Sequence, residues 1–253
     1  TIGDDAVALI HLAQMDDDQR HLVEFVDATD GGIPREEKWV VNLSTQFGCP
    51  VRCRMCDAGT HFFGNLSAGQ MLEQAAGVLA SRPSLHPSQT RKLKVHFSRM
   101  GEPALNPAVP EALVGLREAY PYENLVAAVA TMAPKGSGGF LSKLRSIKDE
   151  HYPNGHFQLQ FSVNSTDEGH RDTLMPYPKL TLAELAREGK AFHRDGDRKV
   201  VLNVAAARGI PLDPAVLASH FAPAHFIVKL TPMNPTETAS SRGLGTLVSA
   251  GEP

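Results

Sequence analysis

The chain has 253 residues, 21% of them charged, a formal net charge of −3 and a 42% hydrophobic share, the length and balance of a globular α/β domain. No apolar run approaches membrane-spanning length, and the mildly acidic balance speaks against a large nucleic-acid footprint. The first twenty residues lack the basic-then-apolar order of a secretory signal, so the expected location is cytoplasmic, where thiols stay reduced.

In chain order, RHLVEFVDA (20–28) reads as a strand before the turn DGG, which makes residues 1–35 a short N-terminal β extension. Nearly continuous apolar runs then predict strands at 38–44, 93–98, 124–131, 157–164, 199–205 and 225–231. Helical patterns fall between them at 67–82, 108–119, 138–148, 181–194 and 213–221. Ser67, Thr181 and Asp213 stand as N-caps, and Pro214 sits at a first helical position. Six β/α units over 36–236 predict an α/β fold with sequential parallel strands. Residues 237–253, rich in Ser, Gly and Thr, are expected to form a loosely ordered tail.

Ligands of such folds gather at the carboxyl ends of the strands. Five of the six predicted strands end in polar residues: the first in the cysteine loop, then SRMGEP, Thr131, Ser162-Val163-Asn164 and TPMNP.

The cysteine loop carries the most chemistry. Cys49, Cys53 and Cys56, in GCPVRCRMC, are the only cysteines in the sequence. An odd count with no other thiol argues against a disulfide framework. Three thiolates at C-x3-C-x2-C can hold three irons of a cubane cluster and leave the fourth open to a small molecule. A Cys3His zinc site with His61 as fourth ligand, forming a non-catalytic scaffold, and three inert buried thiols stand as alternatives.

The cysteine spacing resembles the radical S-adenosylmethionine (SAM) superfamily, and the rest of the chain resembles its RlmN/Cfr branch. VHFSRMGEPALN (95–106) is similar to that branch's G-M-G-E-P-L-x-N stretch. FSVNSTDEGHRDTLMP (161–176) is similar to its I-S-L-H-A-P-N-D-E-L-R-D-x-L-V-P stretch. KLTPMNP (229–235) is similar to N-L-I-P-F-N-P, and NLSTQFGC resembles V-S-S-Q-V-G-C. The likeness runs from about residue 20 to about residue 242.

The resemblance implies a partial six-stranded TIM-like barrel. It implies a 4Fe-4S cluster on Cys49, Cys53 and Cys56, with SAM as second cofactor, cleaved reductively to a 5'-deoxyadenosyl radical. It also implies an external one-electron reductant such as flavodoxin or ferredoxin. Gly101 and Glu102 would meet the SAM amino group, Ser162 and Asn164 its ribose and carboxylate region, and Asn234 its nucleoside side, with Thr131 a further contact. Met55 would pack on the adenine in place of the usual aromatic residue, and Asn164 replaces the family's His. Arg52 and Arg54 flank the cluster loop and are expected to face solvent. His96 and His170 read as packed or surface histidines.

RlmN and Cfr methylate through two further cysteines, which these 253 residues lack. The expectation is therefore a radical SAM enzyme acting on a small-molecule or SAM-derived substrate, by rearrangement, elimination or coupling. An RNA-modifying enzyme of altered chemistry is the alternative. With no spare cysteine as hydrogen donor, Tyr122, Tyr152 or Tyr177 would have to serve, if any residue does.

Overall fold

The computed structural model describes residues 1–247. Strands β1 (Ile2–Asp4), β2 (Ala8–Gln14) and β3 (Leu22–Ala28) open the chain, followed by β4 (Trp39–Leu43) and two short strands, β5 (Gln46–Gly48) and β6 (Phe62–Asn65). Then come α1 (Ala68–Ala80), β7 (Leu93–Phe97), α2 (Val109–Ala119), β8 (Leu125–Thr131), α3 (Gly138–His151) and β9 (Phe157–Ser162). The chain continues through α4 (Glu168–Leu174), α5 (Leu182–Phe192), β10 (Val200–Ala206), α6 (Pro214–His220), β11 (Phe226–Pro232) and α7 (Glu237–Ser241).

The main sheet runs β1-β2-β3-β4-β7-β8-β9-β10-β11. From β4 to β11 every neighbour is parallel and sequential, while β1 to β4 pair antiparallel. Sequential parallel strands joined by crossovers of one hand put their helices on one face. The alternation of side chains bears this out. Trp39, Val41, Leu43, Leu93, Val95, Phe97, Leu125, Ala127 and Val129 join one apolar core with Met71, Val78, Leu113, Leu144 and Leu185 of the helices. The intervening residues, among them Asn42, Lys94, His96, Ala128, Gln160 and Asn203, face the other way and line the concave side of the sheet.

Local signals explain the helix starts. Ser67 accepts from the Gln70 amide while Gln70 accepts from the Ser67 amide, and Thr181 and Glu184 repeat the arrangement at α5. Asp213 caps α6 through the Ala215 amide, with Pro214 at the first position. The N-terminal extension is tied to the core by one buried carboxylate. Asp27 accepts from Trp39 Nε1 at 2.8 Å, Arg35 Nε at 2.8 Å and Arg82 Nε at 2.8 Å.

Two features differ from the sequence reading. Strands β5 and β6 form a separate antiparallel pair that lies outside every predicted strand. Residues 237–241, inside the segment expected to be a loose tail, form α7, capped by Thr236. Residues 242–247 are also held, bridging Thr246 to Ala207 with the Leu247 amide donating to the Ala206 carbonyl at 2.8 Å, and the rest of that expectation, from residue 248 onward, lies outside the described residues.

Candidate active site

The cysteine loop is a closed loop. Its ends are pinned by the β5–β6 pair and by the Cys49 amide donating to the His61 carbonyl at 3.0 Å. At Gly48 φ is +87°, and a Cβ there would lie 2.0 Å from the His61 oxygen, so only glycine lets the two arms close. Inside the loop the Cys56 amide donates to the Cys53 carbonyl at 3.3 Å, and the Arg54 amide donates to the Leu174 carbonyl at 2.8 Å. Asp57 accepts from the amides of Thr238 (2.8 Å) and Glu237 (3.2 Å), and Thr236 Oγ1 donates to the Met55 carbonyl at 3.1 Å. The segment carrying α7 is thereby fastened to the cysteine loop.

Cys49 and Cys53 pack with Met55 and Tyr177 against a small apolar cluster of Val51, Met132, Leu174 and Met175. Burial pushes all three thiols up, Cys49 to about 11. For Cys53 the charges of Cys56, Cys49 and Glu102 push in the same direction, after burial. Cys49 and Cys53 therefore share one apolar site in which a second thiolate is opposed, and a cationic group bound between them would relieve that opposition. Among the described residues no three His, Cys, Asp or Glu side chains are grouped to hold one metal ion. A lone zinc needs four donors around one point, whereas a cubane spreads its thiolates over separate corners. Three thiols at this spacing are donors of the kind an iron–sulfur cluster takes, and His61, the candidate fourth zinc donor, stacks on Phe63.

Glu102 lies at the end of β7 beside this loop and is buried. Its carboxylate accepts from the Thr131 hydroxyl, from the Met132 amide at 2.9 Å and from the Ala104 amide at 3.0 Å. Burial raises its pKa, and the three hydrogen bonds oppose that rise. Two of the sequence-predicted residues, Glu102 and Thr131, therefore touch. Gly101 has φ +96°, and a Cβ there would lie 2.7 Å from Thr45 Oγ1 and from Gln46 Cβ, so the protein's own packing demands glycine. Asn164, at φ +60°, accepts from the Ala205 amide at 3.0 Å through Oδ1 and has Nδ2 3.3 Å from Met175 Sδ, which binds the ends of β9 and β10 together. Ser162 ends β9 opposite Asn203 of β10. Met55 joins the apolar contacts of both Val51 and Met233. Asn234 is exposed between β11 and α7.

Sequence reasoning passed over three residues that build the site. Gln46 accepts from the Glu102 amide at 2.8 Å and donates to Asn65 at 2.7 Å. Asn106 donates to the carbonyls of Thr45 (2.6 Å) and Leu66 (2.9 Å), bolting the Gly-Glu-Pro turn onto the β5–β6 pair. Arg171, fully buried, donates to the carbonyls of Val163 and Leu180 and to Glu168. All three lie inside the stretches that carry the resemblance, which was the available signal. Tyr152 donates to the Leu113 carbonyl at 2.6 Å in the core, and His170 pairs with Asp167 on the surface, so neither belongs to the site.

The chain is 26% identical over 209 residues to the probable dual-specificity RNA methyltransferase RlmN of Thermotoga maritima, covering 77% of this chain and 54% of that protein. A Thermus thermophilus protein of the same name is 26% identical over 225 residues, covering 83% of this chain and 58% of that one. The fold matches the crystal structure of a radical SAM methyltransferase from Sphaerobacter thermophilus with a TM-score of 0.75 at 22% identity, over 97% of this chain and 68% of that one. The chain is similar to radical SAM proteins of the RlmN branch. No protein-family model matches it. This RlmN-like chain spans about half the length of the curated relatives it matches. That similarity implies a 4Fe-4S cluster and SAM. Among the described residues no helix is long and apolar enough to cross a membrane.

Proposed function

We propose that the chain is an enzyme that binds SAM at the mouth of its curved sheet and uses it to start radical chemistry on a small-molecule or SAM-derived substrate. The carrying observation is that the thiol loop and the buried Glu102 carboxylate lie at the same ends of the parallel strands and are joined by Gln46, three residues before Cys49, which accepts from the Glu102 amide at 2.8 Å. Cys49, Cys53 and Cys56 would hold the cluster, which supplies the electron that cleaves SAM to methionine and a 5'-deoxyadenosyl radical. Glu102 would accept from the SAM ammonium, held on its rotamer by Thr131, Met132 and Ala104. Met55 and Tyr177 supply apolar surface beside the thiols, which favours exclusion of water from a reactive intermediate. Ser162, Asn164 and Asn234 remain the candidates for the rest of SAM. A one-electron donor such as flavodoxin or ferredoxin would reduce the cluster.

A small substrate is supported by the concave face of the sheet. Ala128 and Ala130 of β8 are small residues between the longer, polar side chains of β7 and β9. Anaerobic reconstitution with iron, sulfide, SAM and dithionite tests the reading. It predicts 5'-deoxyadenosine from the native chain and none from Cys53→Ala. A fully loaded native protein that leaves SAM intact overturns it.

A second reading, modification of RNA, is favoured by a hollow of about 530 Å³ next to the cysteine loop. It is lined by Arg52, Arg54 and Arg242 together with Asp172, Thr173 and Pro176. Arginines at such a place suit phosphate oxygens, and the relatives at 26% identity are named RNA methyltransferases. A mobility shift of ribosomal RNA fragments that weakens steeply with salt supports this reading, and its absence at low salt removes it.

A further inference from the structure

The concave face of the sheet is polar in an uneven way. On β7 the residues between the core positions Leu93, Val95 and Phe97 are Lys94 and His96, and on β11 Lys229 pairs in register with Asn203, an inward residue of β10. His96 reaches across β8 to Gln160 on β9, the two side-chain nitrogens 3.0 Å apart, passing over Ala128, its own partner in register on β8. Buried, and with Lys94 and Lys229 near, His96 is held well below its ordinary pKa and so stays neutral.

The two lysines have no counterion. Among the described residues neither Lys94 nor Lys229 has an ion-pair or hydrogen-bond partner. The charges that bear on Lys94 are all positive: Lys229, Lys92, Lys38 and Arg198. A half-buried ammonium among cations, with no carboxylate to meet it, is costly to the fold. Other buried cations of this chain are paired. Lys148 meets Asp197 and Asp149, Lys179 meets Asp172, and Arg171 meets Glu168. The unpaired lysines lie on the face of the sheet away from the helices, Lys94 half-buried and Lys229 exposed.

The geometry points to an anion subsite on the concave face: Lys94 and Lys229, beside the His96–Gln160 pair and Asn42, take the carboxylate or phosphate of a small substrate. Such a group would complete the ion pairs that the chain itself leaves unmade. It would also fix one end of the substrate on the inner wall, with its other end toward the strand ends where Glu102 and the thiols lie. This inference rests on the reading of those strand ends as the place where SAM is cleaved, because that reading makes the concave face the substrate chamber.

Inorganic phosphate is the probe. Titrated into the full chain, it is expected to raise the unfolding temperature and to broaden the phosphorus resonance of the free ion. Lys94→Met keeps the apolar length and removes the charge. It should weaken phosphate binding at least tenfold and, without phosphate, unfold at a higher temperature than the native chain, since an uncompensated charge has gone. Lys190→Met, an exposed lysine of α5, should leave the phosphate response unchanged. Three results overturn the subsite: equal phosphate binding by Lys94→Met, no response of the native chain at tens of millimolar, or a response abolished by saturating SAM. SAM cleavage by the native chain is scored separately. Its failure with an intact phosphate response counts against the radical reading alone, and its success without a phosphate response counts against the subsite alone.

Discussion

Glu102→Gln is the most informative single change at the strand ends. The carboxylate has two acceptor oxygens, one taking the Thr131 hydroxyl and the Ala104 amide, the other taking the Met132 amide. A glutamine has one acceptor oxygen and one NH2 group. With its oxygen toward Thr131, the NH2 faces the Met132 N–H. Turned over, it faces the Ala104 N–H, and Thr131 cannot move freely, because its oxygen accepts from the Ala133 amide at 2.8 Å. Either way one buried backbone donor loses its acceptor, which costs about 1–3 kcal/mol. Removing a buried charge offsets a part of this, consistent with the raised pKa of Glu102. For a domain of this size about 1–3 kcal/mol corresponds to an unfolding temperature lower by roughly 2–12 °C. Loss of the charge-assisted bond to an ammonium would weaken SAM binding by roughly 10- to 150-fold. Urea denaturation of the isolated chain and calorimetric titration of the cluster-loaded protein with SAM read the two effects independently. Native stability in Glu102→Gln would refute the hydrogen-bond reasoning, and native SAM affinity would refute the assignment of Glu102 to the ammonium.

Three other changes probe the parts that support the site. Asp27→Ala leaves Arg35 and Arg82 without their shared buried carboxylate and should cost about 3–5 kcal/mol by urea denaturation; an unchanged midpoint would contradict the anchoring of the N-terminal strands. Asp57→Ala removes the acceptor of the Glu237 and Thr238 amides, so limited proteolysis should cut the native-like protein near residues 237–241 faster than it cuts the unaltered chain. The third concerns pH. Lys94 is lowered to about 7 from 10.5, by burial first and then by Lys229, Lys92, Lys38 and Arg198, with neutral His96 on the same strand. Between these two values the unfolded chain binds a proton that the folded chain does not, so this group makes stability rise with pH across that window and fall to its lowest below about pH 7. Lys94→Met should flatten the slope; an unaltered slope would place its origin elsewhere.

The six parallel strands and five of the helices were legible because their signals are long and redundant: apolar runs of five to seven residues, and caps such as Ser67, Thr181 and Asp213 that the structure uses as such. The β5–β6 pair was not, because strands of three and four residues carry no period to read. The helix of Glu237–Ser241 escaped because a Ser- and Thr-rich composition reads as loose chain, while its order comes from distant contacts to Asp57 and Met55. At the site, the motif likeness singled out Gly101, Glu102 and Thr131 but not their mutual roles. That Glu102 is gripped by Thr131, and that Gly101 is demanded by Thr45 and Gln46, depends on register between strands far apart in sequence. Gln46 and Asn106 were hidden for the same reason, being polar residues whose partners lie 19 to 61 positions away. The inward lysines of β7 and β11 look like ordinary surface charges until the alternation of each strand is fixed against the helices.

Mössbauer spectroscopy of the iron-57-loaded chain, recorded without and with SAM, tests the thiol loop most directly. A cluster on Cys49, Cys53 and Cys56 predicts that one iron in four shifts when SAM binds while three do not. Four irons blind to SAM, or a colourless protein that takes up a single zinc and no iron, would contradict the account.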